Sequence, residues 1–247
     1  MNQHDTARAS DAGPAYHRRL VCERCDRAQA ACICACIQRV ANQTDVLILQ
    51  HPLEVHHAKG SVRLLHLCLD HSRIICGEQF APDLLEQALY GANSSDHPHH
   101  QQHCPSQRQP VLLYPDTSQN QAPDLMPWDA AARPLPAELT GIRLVVLDAT
   151  WRKSRKMLYL NPALQCLPRI SLEHMPASHY RIRRAHQPDQ LSSLEACAYA
   201  LMRIEQNEQK FRPLLQAFDA FINQQMQRIP DLSMNSEQQT PHGDGAQ

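Results

Sequence analysis

The chain has 247 residues and a mass of 28.0 kDa, enough to bury one sizeable core with room for a small appended module. Its 24 Lys and Arg against 25 Asp and Glu give a formal net charge of −1, which excludes a globally basic nucleic-acid binder and confines any such surface to a local patch. No apolar run approaches a membrane span, and the polar start MNQHDTARAS lacks a signal-peptide core, so a cytoplasmic location is expected.

Residues 1–20 are polar and expected to be mobile. Then follows CERCDRAQAACICAC, with Cys22-x-x-Cys25 and Cys32-x-Cys34 separated by six residues. Five of the ten cysteines crowd into Cys22–Cys36, while Cys68, Cys76, Cys104, Cys166 and Cys197 stand singly. In a reducing compartment that distribution favours a metal over a disulfide framework. Two short-spaced thiol pairs suit a tetrahedral zinc site, so Cys22, Cys25, Cys32 and Cys34 are the expected Zn2+ ligands of a knuckle over 21–38. Cys36 is surplus and an alternative to Cys34. Unmetallated structural or redox cysteines are the competing reading.

From residue 39 to 228 the pattern alternates strand and helix, which argues for an α/β domain with a mostly parallel sheet covered by helices on both faces. Asp45–Gln50 is a continuous apolar strand that ends in His51-Pro-Leu-Glu54, leaving His51 and Glu54 at a carboxyl strand end. The bland reading has His51 capping the loop and Glu54 solvated. Val62–Leu69 reads as a helix, Arg73–Cys76 as a short strand, and Pro82–Tyr90 as a helix with Leu84, Leu85, Ala88 and Leu89 apolar. Residues 91–110 break the pattern; His97, His99, His100, His103 and Cys104 there read as a surface insertion with adventitious metal affinity. Val111-Leu-Leu-Tyr114-Pro115 is the next buried strand, with Asp116 an acid at its end. A Pro-rich loop spans 117–140.

The stretch Ile142–Met157, IRLVVLDATWRKSRKM, is the organising unit. Leu144–Leu147 is a β-branched run short enough to be a strand buried on both faces; it stops at Asp148 and passes into a basic helix over Arg152–Tyr159, with Thr150 placed to cap its first turn. Asp148 therefore stands where open α/β sheets bind ligands, beside a helix N-terminus. Between Gly141 and Arg184 nine basic residues (Arg143, Arg152, Lys153, Arg155, Lys156, Arg169, Arg181, Arg183, Arg184) face only Asp148 and Glu173. Pro168–Leu172 reads as a strand, and in Ser178–Arg184 an extended backbone would put Arg181 and Arg183 on one face around Ile182. Ser192 or Ser193 caps an amphipathic helix running to about Asn207, with Glu195 in its first turn. A second helix over Phe211–Arg228 carries Leu214, Leu215, Phe218, Phe221 and Ile222 on one face, and the tail 229–247 is expected to be disordered.

Asp148-Ala-Thr150-Trp151, followed by Arg155-Lys-Met157 and Asn161-Pro162, resembles the signature of the DTW-domain family, the tRNA-uridine aminocarboxypropyltransferases. The likeness extends to the cysteine pattern with Arg27, to His51-Pro-Leu-Glu54, Leu112-Leu-Tyr-Pro115, Tyr180-Arg-Ile-Arg183 and Leu191-Ser-Ser-Leu-Glu-Ala196, and departs at Gly60-Ser61, where the family has Asn-Thr. It implies transfer of the 3-amino-3-carboxypropyl group of S-adenosylmethionine to N3 of a uridine in the variable loop of tRNA. It further implies a fold related to SPOUT-class methyltransferases, with a C-terminal knot. On that resemblance Asp148, Thr150 and Trp151 form the catalytic loop. Cofactor contacts come from His51, Glu54, Tyr114, Pro115, Leu147, Arg181, Ile182, Ser192, Ser193 and Leu194. Phosphate contacts come from Arg152, Lys153, Arg155, Lys156, Arg183 and Arg184. An S-adenosylmethionine-dependent RNA methyltransferase and a non-catalytic zinc-containing RNA-binding protein are the alternatives.

Overall fold

A computed structural model describes residues 20–91, 108–115, 133–172 and 191–228. The chain divides into two compact units, Met1–Ala35 and Cys36–Gln247. In the first, the described backbone is short turns: the Cys22 amide donates to the Arg27 carbonyl at 2.8 Å and the Asp26 amide to the Cys22 carbonyl at 2.8 Å. Asp26, at φ 55°, takes the left-handed conformation that turns the chain between the two thiol pairs.

The second unit is built on a five-stranded, all-parallel sheet of order β2-β1-β4-β3-β5. The strands are β1 (Asp45–Gln50), β2 (Ser72–Cys76), β3 (Pro110–Leu113), β4 (Arg143–Asp148) and β5 (Arg169–Ile170). The helices are α1 (Val62–Cys68), α2 (Pro82–Tyr90), α3 (Trp151–Leu160), α4 (Pro162–Gln165), α5 (Ser193–Ile204) and α6 (Glu208–Met226). Every residue of β1 is buried, as an unbroken apolar run in a doubly covered strand requires. Side chains alternate between the faces. Leu47, Leu49, Leu112 and Val145 pack with Leu85, Leu89, Met157, Leu158 and Leu164 of α2, α3 and α4. The other face carries Val46, Ile48, Val111, Leu144 and Val146, and there α5 lies against β3 and β4 and packs with α6 and α1.

Local chemistry sets the helix ends. Pro82 at the first helical position and Asp83 in the first turn start α2. At its end a Cβ on Gly91 would lie 2.4 Å from the Gln87 carbonyl oxygen, so only glycine fits. Ser192 and Glu195 form a full capping box on α5, the Ser192 amide reaching the Glu195 carboxylate at 2.8 Å. Thr150 occupies the N-cap of α3, but its hydroxyl makes no capping bond, so the helix begins without the side-chain cap that its position suggests. The strand expected over Pro168–Leu172 shortens to Arg169–Ile170, because only these two residues pair with β3. Leu84, expected on the apolar face of α2, is 65% exposed; the helix buries Leu85, Ala88 and Leu89 instead.

Arg143, counted above with the basic cluster, is one of the most deeply buried side chains and contributes nothing to the surface. Its Nε pairs with Asp45, its register partner on β1. Its Nη1 donates to the carbonyls of Ala88 (2.6 Å) and Leu89 (2.8 Å), and Nη2 to that of Gly91 (2.8 Å). One guanidinium thus satisfies the carbonyl end of α2 and a buried carboxylate together, a geometry that a fork of five donors provides and an ammonium does not. Replacing Arg143 with Met strands the Asp45 charge and is expected to lower unfolding stability in urea by about 3 kcal/mol or more, with Arg143→Lys recovering only part of the loss.

Candidate functional site

The parallel ladder between β1 and β4 ends with Gln50 opposite Asp148. Gln50 Nε2 donates to Asp148 Oδ2 at 2.8 Å, and the His51 amide donates to the Asp148 carbonyl at 3.0 Å. On the same face of the sheet, Ser193 Oγ, in the first turn of α5, donates to Asp148 Oδ1 at 2.7 Å. Asp148 is half-buried and each carboxylate oxygen takes one neutral donor. Together these contacts fix the rotamer of the carboxylate. Its side chain thus meets the first turn of α5, 45 residues on in sequence.

On the opposite face the loops after β1 and β2 are tied to α3. His51 is buried; the Leu53 amide donates to its Nδ1 at 3.1 Å, so Nδ1 holds a lone pair and the ring proton sits on Nε2, 3.1 Å from Glu78 Oε1. Lys156 Nζ reaches Glu78 Oε2 at 2.9 Å and Lys153 Nζ reaches Glu54 Oε1 at 3.0 Å. The bonds from Lys156 and then from His51 hold the Glu78 carboxyl below the usual carboxylate range. Asn161, buried after α3, donates to the Glu78 carbonyl at 2.9 Å and accepts from the Phe80 amide at 2.9 Å, fastening the β2 loop. Both nitrogens of His51 are therefore occupied, which makes it a loop-capping and orienting group. Glu54 is largely covered by an ion pair rather than solvated.

A third group lies at the end of β3. The Tyr114 ring meets Trp151 edge to face, with centroids 5.7 Å apart and planes at 74°, and the Arg169 guanidinium stands 5.7 Å from the Tyr114 centroid. Trp151 is 49% exposed, so this tryptophan is a rim residue and not core.

In the first unit the Sγ atoms of Cys22, Cys25, Cys32 and Cys34 all lie within 4.8 Å of one another. Cys22 and Cys34 are 3.7 Å apart and Cys25 and Cys32 3.8 Å. Four sulfurs bound at about 2.3 Å around a tetrahedral ion would stand about 3.8 Å apart, the spacing these two pairs already show. The amides of Cys25 and Arg24 pull the Cys22 thiol down to about 6, while desolvation and the neighbouring thiols push Cys34 up to about 12. Cys36, the alternative ligand, lies outside this set; its Sγ points to Gln224 Oε1 at 3.8 Å.

The structure thus brings Asp148, Gln50 and Ser193 together at one point and His51, Glu54 and the α3 lysines at another. Leu147 packs against the α2–α4 core, Leu194 and Ser192 are buried in the start of α5, and Pro115 is exposed. Asp116, Arg181, Ile182, Arg183 and Arg184, the histidines of the 91–110 insertion with Cys104, and the tail 229–247 lie outside the described residues. Sequence reasoning gave no role to Gln50 or Glu78, which share one signal, a polar residue just at or beyond the carboxyl end of a strand.

Because the Glu78 carboxyl is held low in the folded protein, the stability it contributes is full above the ordinary carboxylate range and is lost as pH falls through and below it. Glu78→Gln is expected to melt below the parent at neutral pH, and the two melting curves should converge as pH falls through and below the ordinary carboxylate range.

Residues 19–226 match the family model described as the DTW domain. Among curated proteins, tRNA-uridine aminocarboxypropyltransferase 2 of Macaca fascicularis is 24% identical over 230 residues, covering 92% of this chain and 70% of that protein. The protein of the same name from Drosophila melanogaster is 27% identical over 219 residues, covering 85% and 76%. tRNA-uridine aminocarboxypropyltransferase A of Arabidopsis thaliana is 26% identical over 153 residues, covering 60% and 53%. No solved structure matches significantly. The family model takes in the cysteine unit, the sheet and α5 and α6 together, and the chain belongs to the DTW-domain family.

Proposed function

We propose that this chain transfers the 3-amino-3-carboxypropyl group of S-adenosylmethionine to N3 of a uridine in the variable loop of tRNA. The observation that carries the reading is Asp148, a carboxylate at the carboxyl end of the central strand that is fixed in direction by Gln50 and Ser193. Relatives named tRNA-uridine aminocarboxypropyltransferases support it. The sulfonium activates three carbons, and position selects the one transferred. Attack by N3 on the γ-carbon of the methionine arm forms the N–C bond as the C–S bond breaks, and methylthioadenosine departs with the electron pair. Asp148 accepts or orients the N3 proton, since the imide becomes nucleophilic only as that proton leaves. Trp151 and Tyr114 line the nucleoside side, Arg181 and Ile182 with the Ser192–Leu194 turn hold the cofactor, and His51 and Glu54 serve by fastening the loop after β1. Arg183 and Arg184 add phosphate contacts. A SPOUT-like, knotted C-terminal half belongs to the same reading and rests on the family resemblance alone.

Mass spectrometry of nucleosides from unmodified tRNA incubated with the protein and S-adenosylmethionine is the direct test. The expected products are an aminocarboxypropylated uridine and equimolar methylthioadenosine. A methylated nucleoside with S-adenosylhomocysteine would replace the reading with a methyltransferase, and tRNA binding without cofactor consumption would replace it with a binding protein. Asp148→Asn is expected to keep the melting temperature and cofactor affinity while turnover drops by about 100-fold or more.

Zinc is proposed for the four-cysteine cluster, where it would fold the small unit around itself. Purified reduced protein should hold about one zinc per chain by elemental analysis, and Cys25→Ser should hold almost none.

A further inference from the structure

We infer that α3 divides its basic residues between two tasks, and that Trp151, Arg152, Arg155 and Tyr159 form a docking stripe for an unpaired segment of RNA. At 100° per residue, Ser154, Met157 and Leu158 fill the inward arc of α3 and are buried. Lys153 and Lys156 fall on one flank and are drawn to Glu54 and Glu78 on the loops after β1 and β2. The remaining arc carries Trp151, Arg155 and Tyr159 one turn after another, with Arg152 beside them. Trp151 is 49% and Tyr159 65% exposed, and both arginines are exposed with no acidic partner among the described residues. Two large rings, half or more exposed, on either side of a guanidinium are an unusual surface for a helix whose other face is core.

Charge and shape together select the occupant. Guanidiniums match phosphates, and exposed rings stack on bases, which only an unpaired strand offers face-on. A duplex would meet the arginines but leave the rings idle. The stripe begins three residues after Asp148, so a strand lying along α3 runs toward the carboxyl ends of the sheet. The inference rests on RNA being the substrate, as proposed above. It adds Tyr159 to the contacts and takes Lys153 and Lys156 out of them.

The test is fluorescence anisotropy of the full chain with a labelled oligouridylate and with an RNA duplex of equal length, across 50–200 mM salt. Tyr159→Ala is expected to weaken oligouridylate binding about fivefold to tenfold, with Tyr159→Phe restoring it and the duplex affected less. Arg152→Ala with Arg155→Ala should reduce the salt slope by about 1.4, two phosphates' worth on a single strand. Lys153→Met and Lys156→Met should leave that slope unchanged and lower the melting temperature instead. The inference is overturned if the parent does not bind oligouridylate, or if the arginine and Tyr159 variants bind like it. It is equally overturned if the lysine variants lose as much affinity as the arginine ones, or if polyglutamate competes in a Tyr159-dependent way. The assay contains no cofactor and reads no transfer, so this inference and the proposed reaction fail separately.

Discussion

The pairing of β1 with β4 over six residues decides both the core and the candidate site. It is pinned at both ends by side chains of register partners: Asp45 with Arg143 where the strands start, Gln50 with Asp148 where they finish. Because side chains alternate, the first pair falls on the face of α2, α3 and α4 and the second on the face of α5. A slip of one residue would turn the apolar set of a doubly covered strand to the wrong layers and separate both pairs at once. The buried ion pair is weak evidence of net stability, but it makes wrong registers expensive, since each would leave a charge buried alone.

Much of the architecture was legible because buried parallel strands leave a plain mark, a short unbroken run such as Val46–Leu49 or Leu144–Leu147 bounded by polar residues. Helix ends were legible where side chains cap them, as at Ser192, and less so at Thr150, whose hydroxyl makes no cap bond. The strand order was not, because periodicity reports burial and says nothing of neighbours. That is also why the partners of Asp148 were missed. Gln50 and Ser193 stand 98 and 45 residues away in sequence and meet it only through the crossovers of the sheet. The same blindness inflated the basic cluster: Arg143 is consumed by Asp45 and the end of α2, and two lysines of α3 by acids of distant loops.

The two faces at the carboxyl ends do different work. On the α2–α4 side, His51, Glu78, Asn161 and Lys156 form a chain of charge-assisted and neutral bonds that anchors the β2 loop to α3. On the α5 side, Gln50 and Ser193 donate to the two carboxylate oxygens of Asp148 from the neighbouring strand and from the first turn of a packed helix. In the proposed chemistry these amide and hydroxyl donors fix the direction of the carboxylate toward the imide proton.

For a donor with three activated carbons, direction is the scarcer quantity. In the proposed reaction the sulfonium would supply the leaving group, and what the protein must add is an alignment of nitrogen, carbon and sulfur that the other two carbons do not meet. An acid on a strand end, braced by the neighbouring strand and by the first turn of a packed helix, is set by the rigid parts of the fold rather than by a loop. The family's Asp-x-Thr-Trp signature is then understandable residue by residue in this chain. Asp148 closes the strand, Thr150 begins the helix, and Trp151 turns a half-exposed ring to the rim against Tyr114.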